Sequence, residues 1–167
     1  ASQEDVIRPV YDTMDKMLRS GEALKLFEKN IQLGPPWVSI SYFRASLPEL
    51  VADGDLKGKL FDIVYIDGSH YYPDVKADIE SAKTLVAPGG LLCGDDLELQ
   101  GFSVNLQVAS SLQDIDYTNA GGRGKNYHPG VTVAVWEAFG PVWEFAGVWA
   151  MQRGAVSRDF FIPTIKG

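Results

Sequence analysis

Residues 60–66, LFDIVYI, form a short, almost uninterrupted apolar run that stops at Asp67-Gly68-Ser69-His70. A run of this length bounded by turn residues reads as a strand of a parallel sheet, covered on both faces. A second run, Leu91-Leu92-Cys93-Gly94, stops in the same way at Asp95-Asp96. Between them, Pro73 to Val86 places Val75, Ile79, Ala82 and Val86 on one helical face, and Pro88-Gly89-Gly90 ends the helix. Strand, helix, strand at this spacing is the unit of a parallel α/β sheet, in which ligands bind beyond the carboxyl ends of the strands.

The remaining segments extend that unit. Residues 4–19 carry Ile7, Val10, Tyr11, Met14, Met17 and Leu18 at helical spacing, and 22–33 place Leu24, Phe27 and Ile31 on one helical side before Gly34-Pro35-Pro36. Residues 37–43, WVSISYF, alternate as a strand does. Ser46-Leu47-Pro48-Glu49 has the pattern of a capping box opening a short helix that runs through Ala52. Residues 102–113 have a weak helical pattern, 117–130 are a glycine-rich loop, and 131–139 are a helix. Residues 142–151 and 158–165 read as two strands of an antiparallel hairpin turning near Gly154. The fold expected is α/β: a Rossmann-like, mostly parallel sheet with helices on both faces and a C-terminal antiparallel hairpin.

Composition narrows the function classes. The 167 residues suit one domain over 1–167, with 1–21 as a lid or insertion, and 46% apolar residues suffice for a core. A net charge of −7 disfavours nucleic acid, whose phosphates need a basic face. The single cysteine, Cys93, excludes an intrachain disulfide and a cysteine-cluster zinc site, and in a buried strand it reads as a core residue. No apolar run approaches the ~18–20 residues that span a bilayer. The opening ASQEDVIRPV lacks the pattern of a signal peptide, so a cytoplasmic protein without a membrane partner is expected.

The chemistry gathers at the strand ends. If the two strands are neighbours, Asp67, Asp95 and Asp96 meet at one edge. Two carboxylates about 4 Å apart repel by ~4 kcal/mol at an effective dielectric of 20, so three need a cation, a shared proton or separation. Oxygen donors without thiolate suit Mg²⁺, Ca²⁺ or Mn²⁺. Successive strand residues point to opposite faces, so Asp95 and Asp96 converge only if the backbone turns there, which Gly94 permits. The alternative role of these acids is capping: Asp67 or Ser69 on the helix from Pro73, and Asp96 in a turn. His70, three residues past Asp67, can take a proton near neutral pH or be a polar loop residue. His128 lies between the glycine-rich loop and a helix start, as a cap or loop residue or as a contact to substrate.

Residues 61–96, FDIVYIDGSHYYPDVKADIESAKTLVAPGGLLCGDD, resemble class I S-adenosyl-methionine-dependent methyltransferases, and among them the metal-dependent small-molecule O-methyltransferases that include the macrolide-sugar enzymes and the related cephalosporin-hydroxylase-like proteins. His128-Pro129-Gly130-Val131 and Leu26-Phe27-Glu28-Lys29-Asn30-Ile31 also look like segments of that subgroup, extending the resemblance over roughly 22–140. The resemblance implies that Asp67, Asp95 and Asp96 bind a divalent metal, usually Mg²⁺, and that His70 is the general base. It implies that Ala45, Ser46 and Asp67 border the cofactor, S-adenosyl-methionine, although Ala45 replaces an acid common there. It also implies seven strands, where five are read here, and a glycine-rich cofactor loop that this sequence lacks. The first two strands of the family are therefore expected to be missing, as in a piece of a longer protein. The function expected is O-methyl transfer to a hydroxylated small molecule, by a chain able to form a homo-oligomer. The alternative is a binding or assembly module that keeps the fold without catalysis.

Overall fold

A computed structural model of the chain describes residues 13–52 and 54–164, which fall in two compact units, residues 1–44 and 45–167. None of the described helices is long and apolar enough to cross a membrane.

In the first unit, residues 13–20 are helical (α1), and α2 spans Glu22–Ile31. Gly21 separates the two at φ 73°, a left-handed conformation that costs glycine little. The start of the expected first helix, residues 4–12, lies outside the described residues. Phe27 packs edge-on against Tyr42 at 5.3 Å, and the Tyr42 hydroxyl donates to Glu28 Oε1 at 2.7 Å. Residues 37–43 are not a strand. Alternation supplies the side-chain pattern of a strand, but the element itself is made by ladder hydrogen bonds, which this segment does not form.

The second unit opens with α3 (Leu47–Ala52), β1 (Phe61–Ile66), α4 (Tyr72–Leu85) and β2 (Val86–Gly94). The capping box forms as expected: Glu49 Oε2 accepts from the Ser46 amide at 2.8 Å and from its hydroxyl at 2.7 Å. A 3₁₀ turn (Gly101–Ser103), α5 (Leu106–Ser111) and α6 (Pro129–Phe139) follow. The chain then forms β3 (Trp143–Phe145), β4 (Val148–Arg153) and β5 (Phe160–Phe161). The sheet order is β1-β2-β4-β3, with β5 also on β4. β1 and β2 are parallel, while β2–β4, β3–β4 and β4–β5 are antiparallel. The α/β class, the parallel start and the antiparallel end are those expected.

Two details differ from expectation. The expected hairpin near Gly154 forms between β4 and β5, but a further one, at Ala146-Gly147 with φ 54° and 89°, divides the segment read as a single strand over 142–151. Two positive φ angles are what a two-residue hairpin turn demands, and alanine gives no signal for one. Nor is β1 covered on both faces. It lies at the sheet edge, and Ile63 and Tyr65 are 62% and 49% exposed. An apolar run reports that a strand can be buried, and not which elements cover it.

The core lies on the other face. Val75, Ile79 and Ala82 of α4 meet Val131, Ala134 and Val135 of α6 over Leu92, Trp149 and Met151 of the sheet. Register explains the division. Val64 pairs with Leu92, and Leu92 with Met151, so every second residue faces the helices. Gly94 serves this packing: a Cβ there would lie 2.8 Å from both the Ile66 carbonyl oxygen and the Trp149 ring.

Candidate functional site

The carboxyl ends of β1 and β2 lie side by side, with Ile66 paired to Gly94 and the Asp95 amide donating to the Ile66 carbonyl at 3.1 Å. Asp67 and Asp95 each follow one residue of that last pair. The backbone leaves strand geometry one residue later, at Asp96, whose φ is 62°. A non-glycine residue held there is strained, and such strain collects at functional sites. The turn expected at Gly94 therefore occurs at Asp96, and Asp95 Oδ1 accepts the Asp96 amide at 2.9 Å.

This turn sends the two neighbouring acids to different places. Asp95 reaches the Tyr65 hydroxyl on the open face of the sheet. Partial burial, with the charges of Asp95 and Asp67, pushes that phenol above its ordinary range. Asp96 instead meets His70, with Oδ2 2.9 Å from Nε2. The other nitrogen of His70, Nδ1, lies 2.6 Å from Asp116 Oδ1. An ionised carboxylate only accepts, so each contact needs an N–H on that nitrogen, and a neutral ring has one.

His128 completes the group. As the residue before α6 it is 9% exposed, and its Nδ1 lies 2.9 Å from Glu98 Oε1. Its ring lies 4.2 Å from that of His70 and 4.7 Å from that of Tyr117. Burial disfavours the charged imidazole, but the Glu98 hydrogen bond and the charges of Glu98, Asp96 and Asp116 outweigh this and raise its pKa. Gly130 makes the approach possible. A Cβ there would lie 2.5 Å from the Tyr72 amide nitrogen and closer still to the His70 carbonyl oxygen. The helices behind the two histidines are joined by Tyr72, whose hydroxyl donates to Glu137 Oε2 at 2.6 Å, and by Lys76, which donates to that hydroxyl at 2.6 Å.

A cavity of about 570 Å³ opens beside this group, along the edge of β1. Ala45, Ser46 and Leu47 line one side, and Asp67, Gly68, Ser69, Asp74 and Asp78 another. Its lining has three carboxylates and no lysine or arginine. Ser69 fixes the loop by donating to Asp74 Oδ2 at 2.7 Å and accepting from the Tyr71 amide at 3.3 Å. Burial, and then the charge of Asp74, raises the pKa of Asp78.

The residues singled out from the sequence are thus divided. Ala45, Ser46 and Asp67 share the cavity. His70, Asp96 and His128 share the histidine cluster. Asp67, Asp95 and Asp96 lie at neighbouring strand ends without forming one ligand group. Among the described residues, the groups whose ligand atoms lie within 4.8 Å of one another are His70, Asp116 and His128, and Asp96, Glu98 and His128. Sequence reasoning missed Glu98 and Asp116. Glu98 lies between buried Leu97 and Leu99 and carried an alternation signal; Asp116, in an irregular loop, carried none. Cys93 is half-buried and its thiol donates to the Val64 carbonyl at 3.4 Å, as befits a packing residue.

Comparison with known families resolves what kind of scaffold this is. A methyltransferase domain matches residues 13–97, just over half of the chain. The chain belongs to the methyltransferase domain family. Within this methyltransferase-family chain the match contains the cavity lining, Asp67, His70, Asp95 and Asp96, whereas Glu98, Asp116 and His128 lie beyond it. No curated protein matches the chain. An O-methyltransferase family protein from Burkholderia thailandensis is similar in structure, at 17% identity and a TM-score of 0.43. The similarity covers 70% of this chain and 36% of that one, so the chain spans about a third of that protein's length.

Proposed function

We infer that the protein carries out S-adenosyl-methionine-dependent, cation-assisted methyl transfer to a hydroxyl of a small molecule such as a sugar or natural product. The observation that carries this reading is the position of His70: at the end of β1, two residues from the cavity-lining Gly68, with a carboxylate on each ring nitrogen. The family membership supplies the reaction class.

The cavity suits this cofactor by its chemistry. S-adenosyl-methionine carries a sulfonium, an ammonium, an exocyclic amine and ribose hydroxyls, which are cationic or donating groups, and one carboxylate, which must point away from the acids of the lining. Asp67, Asp74 and Asp78 accept hydrogen bonds and oppose positive charge, while Ala45, Leu47 and Pro48 offer apolar surface to a flat ring. The same lining repels a phosphate-bearing ligand. Asp67, Asp95 and Asp96 are oxygen donors of the type that Mg²⁺ prefers, and they would hold a cation only after their side chains, which do not form one ligand group, turn toward one another. A cation bound there would lower the pKa of an acceptor hydroxyl. His70 then serves as the base. With its Nδ1–H held by Asp116, its Nε2 would take the hydroxyl proton once the acceptor displaces Asp96 Oδ2, which lies 2.9 Å from it. His128, against the His70 ring, bounds the space in which an acceptor would lie.

Calorimetry of the whole chain with S-adenosyl-methionine, with and without Mg²⁺, tests the reading. Saturable binding that Asp67→Asn weakens by about 10- to 100-fold is expected, the cost of one hydrogen bond to a charged group. Absence of binding by folded protein in both conditions would overturn it and favour the non-catalytic module.

A further inference from the structure

We propose that His70, His128 and Asp116 form a site for a divalent transition metal, of the class of Zn²⁺, separate from the oxygen donors Asp67 and Asp95. Three ligand atoms converge: His70 Nδ1 is 2.6 Å from Asp116 Oδ1, and His128 Nε2 is 3.9 Å from that same oxygen. Metal–ligand bonds of about 2.0–2.1 Å place neighbouring ligand atoms roughly 3.3 Å apart in a tetrahedron. The two separations to Asp116 lie on either side of that value, and all three ligand atoms lie within 4.8 Å of one another, so local side-chain shifts seat a cation.

The outer nitrogens are already in the arrangement that a metal-binding imidazole needs. A ligating histidine donates its other ring N–H to a carboxylate or carbonyl, which fixes the tautomer and strengthens the ligand. Here His128 presents Nδ1 to Glu98 at 2.9 Å, leaving Nε2 toward the cluster. His70 presents Nε2 to Asp96 at 2.9 Å, leaving Nδ1 toward Asp116. With the His70 proton on Nε2 alone, the Nδ1 lone pair faces a carboxylate oxygen at 2.6 Å, a repulsive contact that a second ring proton or a metal cation relieves.

Charge points the same way. Asp96, Glu98 and Asp116 bring three negative charges, and two protonated imidazoles return at most two positive ones. The group stays anionic in every histidine state while its carboxylates are ionised. Two imidazole nitrogens and one carboxylate suit Zn²⁺, Fe²⁺ or Co²⁺, whereas Mg²⁺ prefers oxygen alone.

The site has a consequence for the function inferred above. With a metal on Nδ1 and the proton on Nε2, His70 has no lone pair left to accept a proton. Filling this site therefore switches off the base, and a chelator restores it.

The test is a titration of the metal-free whole chain with Co²⁺, read by visible absorption, followed by displacement with Zn²⁺. Neither S-adenosyl-methionine nor an acceptor is present, so this outcome and the fate of the proposed methyl transfer are independent. One Co²⁺ should bind per chain, be displaced by Zn²⁺ and survive millimolar Mg²⁺. Asp116→Asn, at an exposed position, should weaken Co²⁺ binding at least about tenfold. His70→Ala should do the same, and Asp67→Asn should leave it unchanged. A wild type without a bound Co²⁺ spectrum overturns the proposal, as does Co²⁺ affinity that Asp116→Asn leaves intact or that Asp67→Asn weakens equally.

Discussion

The two faces of the central sheet have opposite surroundings. On one, Leu92, Met151 and Trp149 are at most 3% exposed beneath α4 and α6. On the other, Ile63, Tyr65 and Phe145 are apolar yet exposed. The difference continues past the strand ends. Asp95 follows the open face to Tyr65, and Asp96 turns to the helix side and meets His70. Two adjacent, chemically identical residues thereby acquire different partners. An acidic pair at the end of a strand is two sites until the backbone between them is known.

The largest expected effect is on stability. Trp149→Ala should cost about 3–5 kcal/mol in urea unfolding, the usual price of deleting a fully buried large aromatic. Ile63→Ala, on the open face, should stay within about 0.5 kcal/mol. Equal losses would show that the open face is packed in solution and would break the comparison. Next in size is Gly130→Ala. Its Cβ would meet the backbone of residues 70–72, which cannot move aside as a flexible side chain can, so a loss of about 1–3 kcal/mol is expected. Because the clash separates α6 from the His70 loop, the ring NMR signals of His70 and His128 should both shift. Unshifted rings would mean that the two histidines do not depend on this close approach.

The helix-side architecture was largely legible in the sequence. Val75, Ile79 and Ala82 are on the buried face of α4, as their spacing predicts, and the Ser46–Glu49 box caps α3. These features are local or periodic, and period and capping depend on few residues. What was not legible depended on distant partners. Residues 37–43 have a strand's alternation without a ladder, and the exposure of β1 depends on what lies beside it. The candidate site divides in the same way. Asp67, Asp96 and His70 are conspicuous because they follow strands. Asp116 joins His70 across 46 residues through an irregular loop, tied down where Thr118 pairs with Tyr127 and where the Tyr72 amide donates to the Gln113 carbonyl. No pattern in residues 113–118 announces that approach.

The helix side should also respond to pH. The pKa of His128 is raised in the folded state, so its contribution is fully present below the unfolded value of ~6.5 and is lost as pH rises through the folded value. Stability should therefore fall across that window. Glu98→Gln removes the charged acceptor; it should cost about 1–2 kcal/mol at pH 6, with less loss at pH 9, and flatten the profile. A variant whose profile keeps the wild-type slope would assign the pH dependence to another group.

The smallest effect sharpens the cavity end of the comparison. Asp78 is an acid whose pKa is raised by burial and by Asp74, so ionisation at neutral pH works against the folded state. The penalty appears as pH rises through the unfolded value and vanishes at low pH, where both states are protonated. The group is partly solvated, which leaves a small residue: Asp78→Asn should gain a few tenths of a kcal/mol at pH 7, about 1 °C in melting temperature, and nothing at pH 3. If this carboxylate faces the amine or ammonium of a cofactor, as its place in the cavity lining suggests, the same variant should bind S-adenosyl-methionine more weakly. Stability and affinity should then move in opposite directions, as expected of a charge kept for a ligand. A variant that loses both would instead place Asp78 among the groups that hold the loop in shape.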